Sequence, residues 1–235
     1  MPDQLEVIAA GAVHAYFDEL HRSAAIADFD LNIVFAPAGA ITEKIRVGAS
    51  CDVVISSTAS LDTLAGIGHI EAESISSLGT TEVAVCTRDG NPTPRIENEA
   101  ALPVLLLSAT SIHIPDISAS TAGAHMAQVI KRLGLHKTLS PKLCMHPTGN
   151  ATMRAVAESL DRFPLGFTQR SEIVSAVGTL LGDSLPERLS LSTTYAAAIS
   201  NTSRAKHEAQ AFIDLLCSDK QREIRALFGF DRATE

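Results

Sequence analysis

The chain has no tryptophan and few aromatic residues of any kind, 4% of the total. Its core must come from Ala, Val, Ile and Leu, which suits parallel strands covered by helices on both faces. No stretch approaches the ~20 apolar residues of a membrane-spanning helix, so membrane insertion is not expected. No run of Lys or Arg exceeds two residues, and the formal net charge is −8. Such a chain repels a polyanion at long range, which argues against nucleic acid as a partner. The four cysteines, Cys51, Cys86, Cys144 and Cys217, lack metal-ligand spacing, and 235 residues do not need disulfide staples. Cys51 and Cys86 lie in apolar runs and read as buried free thiols. There is no nucleophile elbow, P-loop or dinucleotide glycine fingerprint; Ala9-Ala10-Gly11 is only superficially like the last. The histidines do not share ligand spacing either, so neither metal nor cofactor is expected.

What is present is alternation. Leu5 to Ala9, Leu31 to Ala36 and Asp52 to Ile55 read as buried strands. A helix with Val13, Phe17 and Leu20 on one face follows the first, and a helix carrying Ile41 and Ile45 follows the second. Ser56-Ser57-Thr58 offers an N-cap after the third. Glu82 to Thr87 is a strand, Arg88 to Ala101 a surface loop, and Leu105 to Ile114 contains another strand. A helix then runs from Ser118–Thr121 to Leu133, a strand from Leu143 to His146, a helix from Pro147–Asn150 to Leu160, and a strand from Leu165 to Thr168. Leu189 to Ile199 reads as a returning strand, with closing helices over Ser203 to Leu216 and Asp219 to Leu227. Alternation with short turns implies βαβ units and parallel sheets.

Turns of small or hydroxyl residues follow Ala9, Ala36, Ile55, Pro115 and Pro147 and open helices. In open parallel sheets ligands bind at the carboxyl ends of strands, where helix N-termini present unpaired N–H groups and partial positive charge. Several such turns make a site for a small anion without any lysine.

At this point the residues resemble a known family. Val7 to Val13, Phe35 to Ala40, Lys44 to Ala49 and Cys51 to Ser56 are similar to the opening strands and loops of the molybdate-binding proteins of ABC importers. Pro115-Asp116 through Thr121-Ala122-Gly123, Ile130 to Leu135, Leu139 to Leu143, Arg154, Pro164 to Phe167 and Phe228-Gly229-Phe230 continue the likeness in order. The resemblance implies an α/β, two-lobed type II periplasmic-binding-protein fold. It would have two mostly parallel sheets, helices on both faces and a hinge of two crossovers. Lobe I would be 1–82 plus 193–235 and lobe II 83–192, with the ligand cleft between the lobes. It further implies ligand contacts at Gly11, Ala12, Val13, His14, Ala38, Gly39, Ala40, Ser56, Ser57, Thr121, Ala122, Gly123, Met153, Arg154, Gln169 and Arg170.

The departures from the family matter for ligand choice. Ala12 stands where a serine is expected, Pro37 to Ala40 stand where serines are usual, and Gln169 takes the place of a tyrosine. Each lost charge-assisted bond costs about 1.5–3 kcal/mol, which disfavours molybdate. Arg170, replacing a small residue, suits a planar carboxylate that it can grip with two parallel bonds. The expected function is therefore a monomeric solute-binding protein closing on a small anion, an organic carboxylate rather than molybdate, with an ABC permease as partner if exported. An alternative follows from aconitate isomerases that resemble the same group: a cofactor-independent proton shift on a polycarboxylate, with His14 as the base. His146, at a strand end before Pro147, is a lesser candidate, and His125 is expected on a helix out of reach. A cytoplasmic ligand-sensing domain is a third possibility. Localisation stays open between cytoplasm, if Met1 is the native start, and periplasm, if a leader has been removed.

Overall fold

The structure is a computed structural model and describes residues 4–230; Met1-Pro2-Asp3 and positions 231–235, included in the first expected lobe, lie outside the described residues. In chain order the elements are β1 (Leu5–Ala10), α1 (His14–Arg22), β2 (Leu31–Ala36), α2 (Ala38–Arg46), β3 (Val53–Ser57), α3 (Thr58–Gly66) and β4 (Ser76–Arg88). Then come α4 (Ala101–Ser108), β5 (Ser111–Pro115), α5 (Thr121–Arg132), α6 (His136–Leu139), β6 (Leu143–His146), α7 (Gly149–Ala157), β7 (Pro164–Gln169), α8 (Arg170–Val174) and β8 (Thr179–Ser184). The chain closes with β9 (Ser192–Ile199), α9 (Lys206–Cys217) and α10 (Arg222–Leu227).

Two compact units result, the chain passing from one to the other between Thr81 and Glu82 and returning between Ser192 and Thr193. In the first unit β1 is central, pairing parallel with β2 and with β3. β9 adds antiparallel to β3, setting Val53 opposite Ile199 and Ser57 opposite Tyr195. Phe17, Leu20, Ile41 and Ile45 all enter the core of this unit. So do Phe212, Ile213 and Leu216 of α9, with the Phe212 ring 6.1 Å from Phe17 and 5.2 Å from Phe29. The buried Arg225 guanidinium satisfies the end of α9, donating to the carbonyls of Leu216, Cys217 and Ser218. Carbonyls at a helix C-terminus otherwise lack partners, and a cation there also suits the dipole. The Tyr16 hydroxyl donates to Leu216 O at 2.9 Å, and burial pushes its pKa up to about 12.

In the second unit β5 pairs parallel with β6 and with β7, while β4 runs antiparallel to β7 and β8. One core packs α4 and α5 on these strands through Leu102, Leu106, Met126 and Ile130. A smaller cluster on Ala84 and Cys86 takes Met153, Val156 and Ile173.

Several expectations need correction. The strand expected within Leu105 to Ile114 is β5, but the preceding Ala101–Ser108 is helix α4, unforeseen because its Leu-rich run has no polar face and so no helical periodicity to read. β4 begins at Ser76, six residues before the expected start, because its polar opening Ser-Ser-Leu-Gly-Thr-Thr hides the strand pattern. α7 stops at Ala157, and Leu160, expected within it, is almost fully exposed. β9 starts at Ser192, with Leu189 in a short 3-10 turn, and α9 starts at Lys206 rather than near Ser203. Cys51 and Cys86 are buried free thiols, as expected. No helix among the described residues is long and apolar enough to cross a membrane.

The only two tyrosines, Tyr16 and Tyr195, both lie in the first unit. With no tryptophan present, intrinsic fluorescence therefore reports on that unit alone. Phe212→Ala is expected to cost about 3–5 kcal/mol, the range for truncating a buried aromatic. Urea titration followed by tyrosine emission checks this; a cost under about 1 kcal/mol, the size of a surface change, would show that α9 is dispensable to the first core.

Candidate functional site

The first unit sends three strand ends into helices. After β1 the chain makes a 3-10 turn, Gly11–Val13, and enters α1 at His14 with no side chain capping either. After β2, Pro37 is the N-cap of α2, and Ala38, Gly39 and Ala40 form its first turn without a side-chain cap. Pro and Ala cannot supply one, so backbone donors at this start are not matched by side-chain oxygens. The third turn differs: Ser57 caps α3, its Oγ accepting from Ser60 N at 3.3 Å. Ser56, expected beside it in the turn, is the penultimate residue of β3, fully buried, and its Oγ has no hydrogen-bond partner among the described residues.

His14 sits at the first position of α1 with its ring edge against Phe35, centroids 4.4 Å apart. Its Nδ1 lies 3.5 Å from Asp18 Oδ2, one turn along the helix. That pairing was not foreseen, although His and Asp at i and i+4 are neighbours on any helix face.

The second unit contributes its own helix starts. Ser120 caps α5, so the Gly123 N–H is engaged by Ser120 Oγ at 3.4 Å, while Thr121 and Ala122 form the first turn. Gly123 is held tightly: a side chain there would meet the carbonyl oxygens of Pro115 and Asp116. Thr148 caps α7 through Ala151 N at 3.0 Å. On α7 itself, Met153 is buried in the smaller apolar cluster, its sulfur accepting from the Cys86 thiol at 3.4 Å, whereas Arg154 is exposed. Gln169, buried, is the N-cap of α8, and no side chain caps that helix. Arg170 is its first residue, half-buried, and makes no ion pair among the described residues.

Two features carry unusual electrostatics. His113 Nδ1 lies 3.0 Å from His146 Nε2, and His113 Nε2 lies 3.0 Å from Ser111 Oγ. Burial depresses both histidines, and for His113 the neighbouring His146 adds to the effect. His146 is thus spent on His113. His125, on α5 as expected, is spent on Leu189 O at 2.8 Å. The other feature is Glu172, third residue of α8, which is buried. Burial pushes it up to about 7 while the Thr168 hydroxyl and the Gln169 backbone N–H pull it back. No periodicity marks such a residue, because its burial is a tertiary fact.

Two α/β units, each a sheet whose strands open into helices and sharing one twice-crossing chain, define the type II periplasmic-binding-protein fold. The periplasmic molybdate-binding protein of Azotobacter vinelandii superposes with a TM-score of 0.81 over 98% of this chain and 100% of its own, at 18% identity. The sulfate-binding protein SubI of Mycobacterium tuberculosis gives 0.74 over 98% of this chain and 87% of its own, at 13% identity. By sequence, residues 5–231 match the bacterial extracellular solute-binding proteins, and the chain belongs to that family. It is 28% identical to an aconitate isomerase from a Pseudomonas species, spanning 80% of this chain and 72% of the relative. It is 26% identical to the molybdate-binding protein ModA of Rhodobacter capsulatus, spanning 83% of this chain and 75% of that one.

Gly123→Ala forces a methyl against fixed backbone and is expected to cost about 1–3 kcal/mol. Gly66→Ala, at the end of α3 with open space around it, is expected to be neutral or to stabilise by up to about 1 kcal/mol. Thermal unfolding of the two variants side by side checks the contrast; equal melting temperatures would contradict it.

Proposed function

We propose that this solute-binding protein holds a small organic carboxylate in preference to molybdate. The observation that carries this reading is Arg170: a half-buried guanidinium at the uncapped start of α8, with no acidic partner among the described residues. A planar fork suits a carboxylate better than a tetrahedral oxyanion. The ligand contacts we assign are the uncapped starts at Gly11 to His14 and Ala38 to Ala40, Ser56 and Ser57, Thr121 to Gly123, Arg154, Gln169 and Arg170. Met153 would act only by packing beneath them. The ligands named for the relatives, molybdate and sulfate for the binding proteins and aconitate for the enzyme, are all anions and support the class. An ABC permease is the partner this role requires.

A second reading is favoured by the aconitate isomerase relative and by the His14–Asp18 pair. With Asp18 at Nδ1, His14 Nε2 is the nitrogen able to take a proton from an activated C–H. Returning that proton to the far carbon of the resulting allylic anion shifts the double bond and regenerates neutral His14. The reaction needs no cofactor.

Proton NMR of citrate, cis-aconitate and trans-aconitate with the protein in D₂O separates the readings. Line broadening without new signals is expected for a binding protein; isomer signals or loss of a C–H resonance would establish the isomerase and make His14→Gln the next variant. Arg170→Ala should weaken carboxylate binding by ~10-fold or more through loss of a charge-assisted pair. Unchanged affinity would remove Arg170 from the site.

A further inference from the structure

Glu172 is the one buried carboxyl placed among the expected ligand loops of the second unit. It accepts from the Thr168 hydroxyl at the end of β7 and from the Gln169 N–H at the start of α8. It also lies against the first residue of α7, where a Cβ on Gly149 would overlap both carboxyl oxygens and the carboxyl carbon. Three elements, β7, α7 and α8, thus converge on a single titratable group.

Its place gives its charge a consequence. The start of a nine-residue helix carries about half a unit of positive charge. An ionised Glu172 against Gly149 neutralises that charge, and in a dry surrounding it repels any second anion strongly. A neutral Glu172 does neither. We propose that Glu172 is a positioning residue that couples anion binding by the second unit to proton uptake, one solvent proton joining its carboxylate as the anion arrives. The inference deepens the anion-binding reading above and rests on it.

The surroundings allow the coupling. Burial raises Glu172 to about 7, so both protonation forms are available near neutrality. The elements packed against α8 are α7, β7 and β8. Of these, α7 brings Arg154, which is exposed, and β7 brings no titratable side chain. β8 brings Asp183, already held by Arg95 at 3.0 Å. On α8 itself stands Arg170, and on β4 the Cys86 thiol, pushed up to about 12, stays neutral. Proton uptake on binding means that the bound protein holds the proton more tightly than the free one. Affinity therefore lies on an acid plateau below about pH 7. Above it, affinity falls with rising pH by up to about tenfold per unit, the limit for one linked proton.

The test is calorimetric titration of the whole chain with sulfate and with trans-aconitate slightly above neutral pH, in two buffers of different ionisation heat. Wild type is expected to take up a sizeable fraction of a proton per anion. Glu172→Gln should lose that uptake, and its affinity should no longer fall with pH. Equal uptake by the two proteins overturns the proposal. Should Glu172→Gln fail to fold, carbon NMR of wild type labelled at its glutamate carboxyls gives the same answer. Saturating sulfate should raise the midpoint of the buried carboxyl, and an unmoved midpoint overturns the coupling. If neither probe binds at any pH, the anion-binding reading itself falls and takes the coupling with it. Binding without a difference between the two proteins removes the coupling alone.

Discussion

The antiparallel pairing of β9 with β3 is the constraint on which the first unit depends. β1, β2 and β3 form only a three-stranded sheet, with one side of β3 open to a further partner. β9 fills that side with five paired residues, from Val53–Ile199 to Ser57–Tyr195. Ala196, Ala197 and Ala198 are all fully buried, as a strand covered on both faces requires. The same strand delivers α9, whose Phe212 and Ile213 finish the core, and Arg225, whose guanidinium closes the end of α9. Without the pairing the loops after β1, β2 and β3 would stand on an incomplete scaffold.

On that scaffold the helix starts are treated unequally. α3, α5 and α7 each have a hydroxyl cap, from Ser57, Ser120 and Thr148, whereas α1 and α2 have no side-chain cap and the Gln169 N–H at the start of α8 is taken by Glu172. Capping a helix fixes its entry and spends a donor; leaving it uncapped keeps the donor for water or a ligand. Among the starts assigned to the ligand, Ala12 and Ala38 to Ala40 stand where no side chain caps the helix.

Much of this was legible in the sequence, for identifiable reasons. β2 and β6 emerged with the boundaries expected, because short apolar runs were bounded by turn residues. The helices with one apolar stripe, α1, α2 and α5, were legible from periodicity. α4 was not, because Ala-Leu-Pro-Val-Leu-Leu-Leu has no polar face and contains a proline. α8 and β8 were too short and too polar to stand out from loop. At the candidate site, the turn residues and Arg170 could be named from position and resemblance. The pairing of His14 with Asp18 was available from helical spacing but carries little weight alone. Glu172 was beyond reach: a glutamate reads as solvent-facing until Gly149, Thr168 and Gln169 are brought around it by the packing of three elements.

The discontinuity of the first unit bears on how the chain matures as it leaves the ribosome. Domains tend to fold as units in the order in which synthesis completes them. The second unit is one uninterrupted stretch, 82–192, and has all its strands once Ser184 has emerged. The first starts earlier in the chain yet lacks its fourth strand until Ile199 and its last core aromatics until α9 and Phe230 are made. The unit that starts earlier is thus completed after the one it encloses, and an exposed edge of β3 must be kept from other chains in the interval.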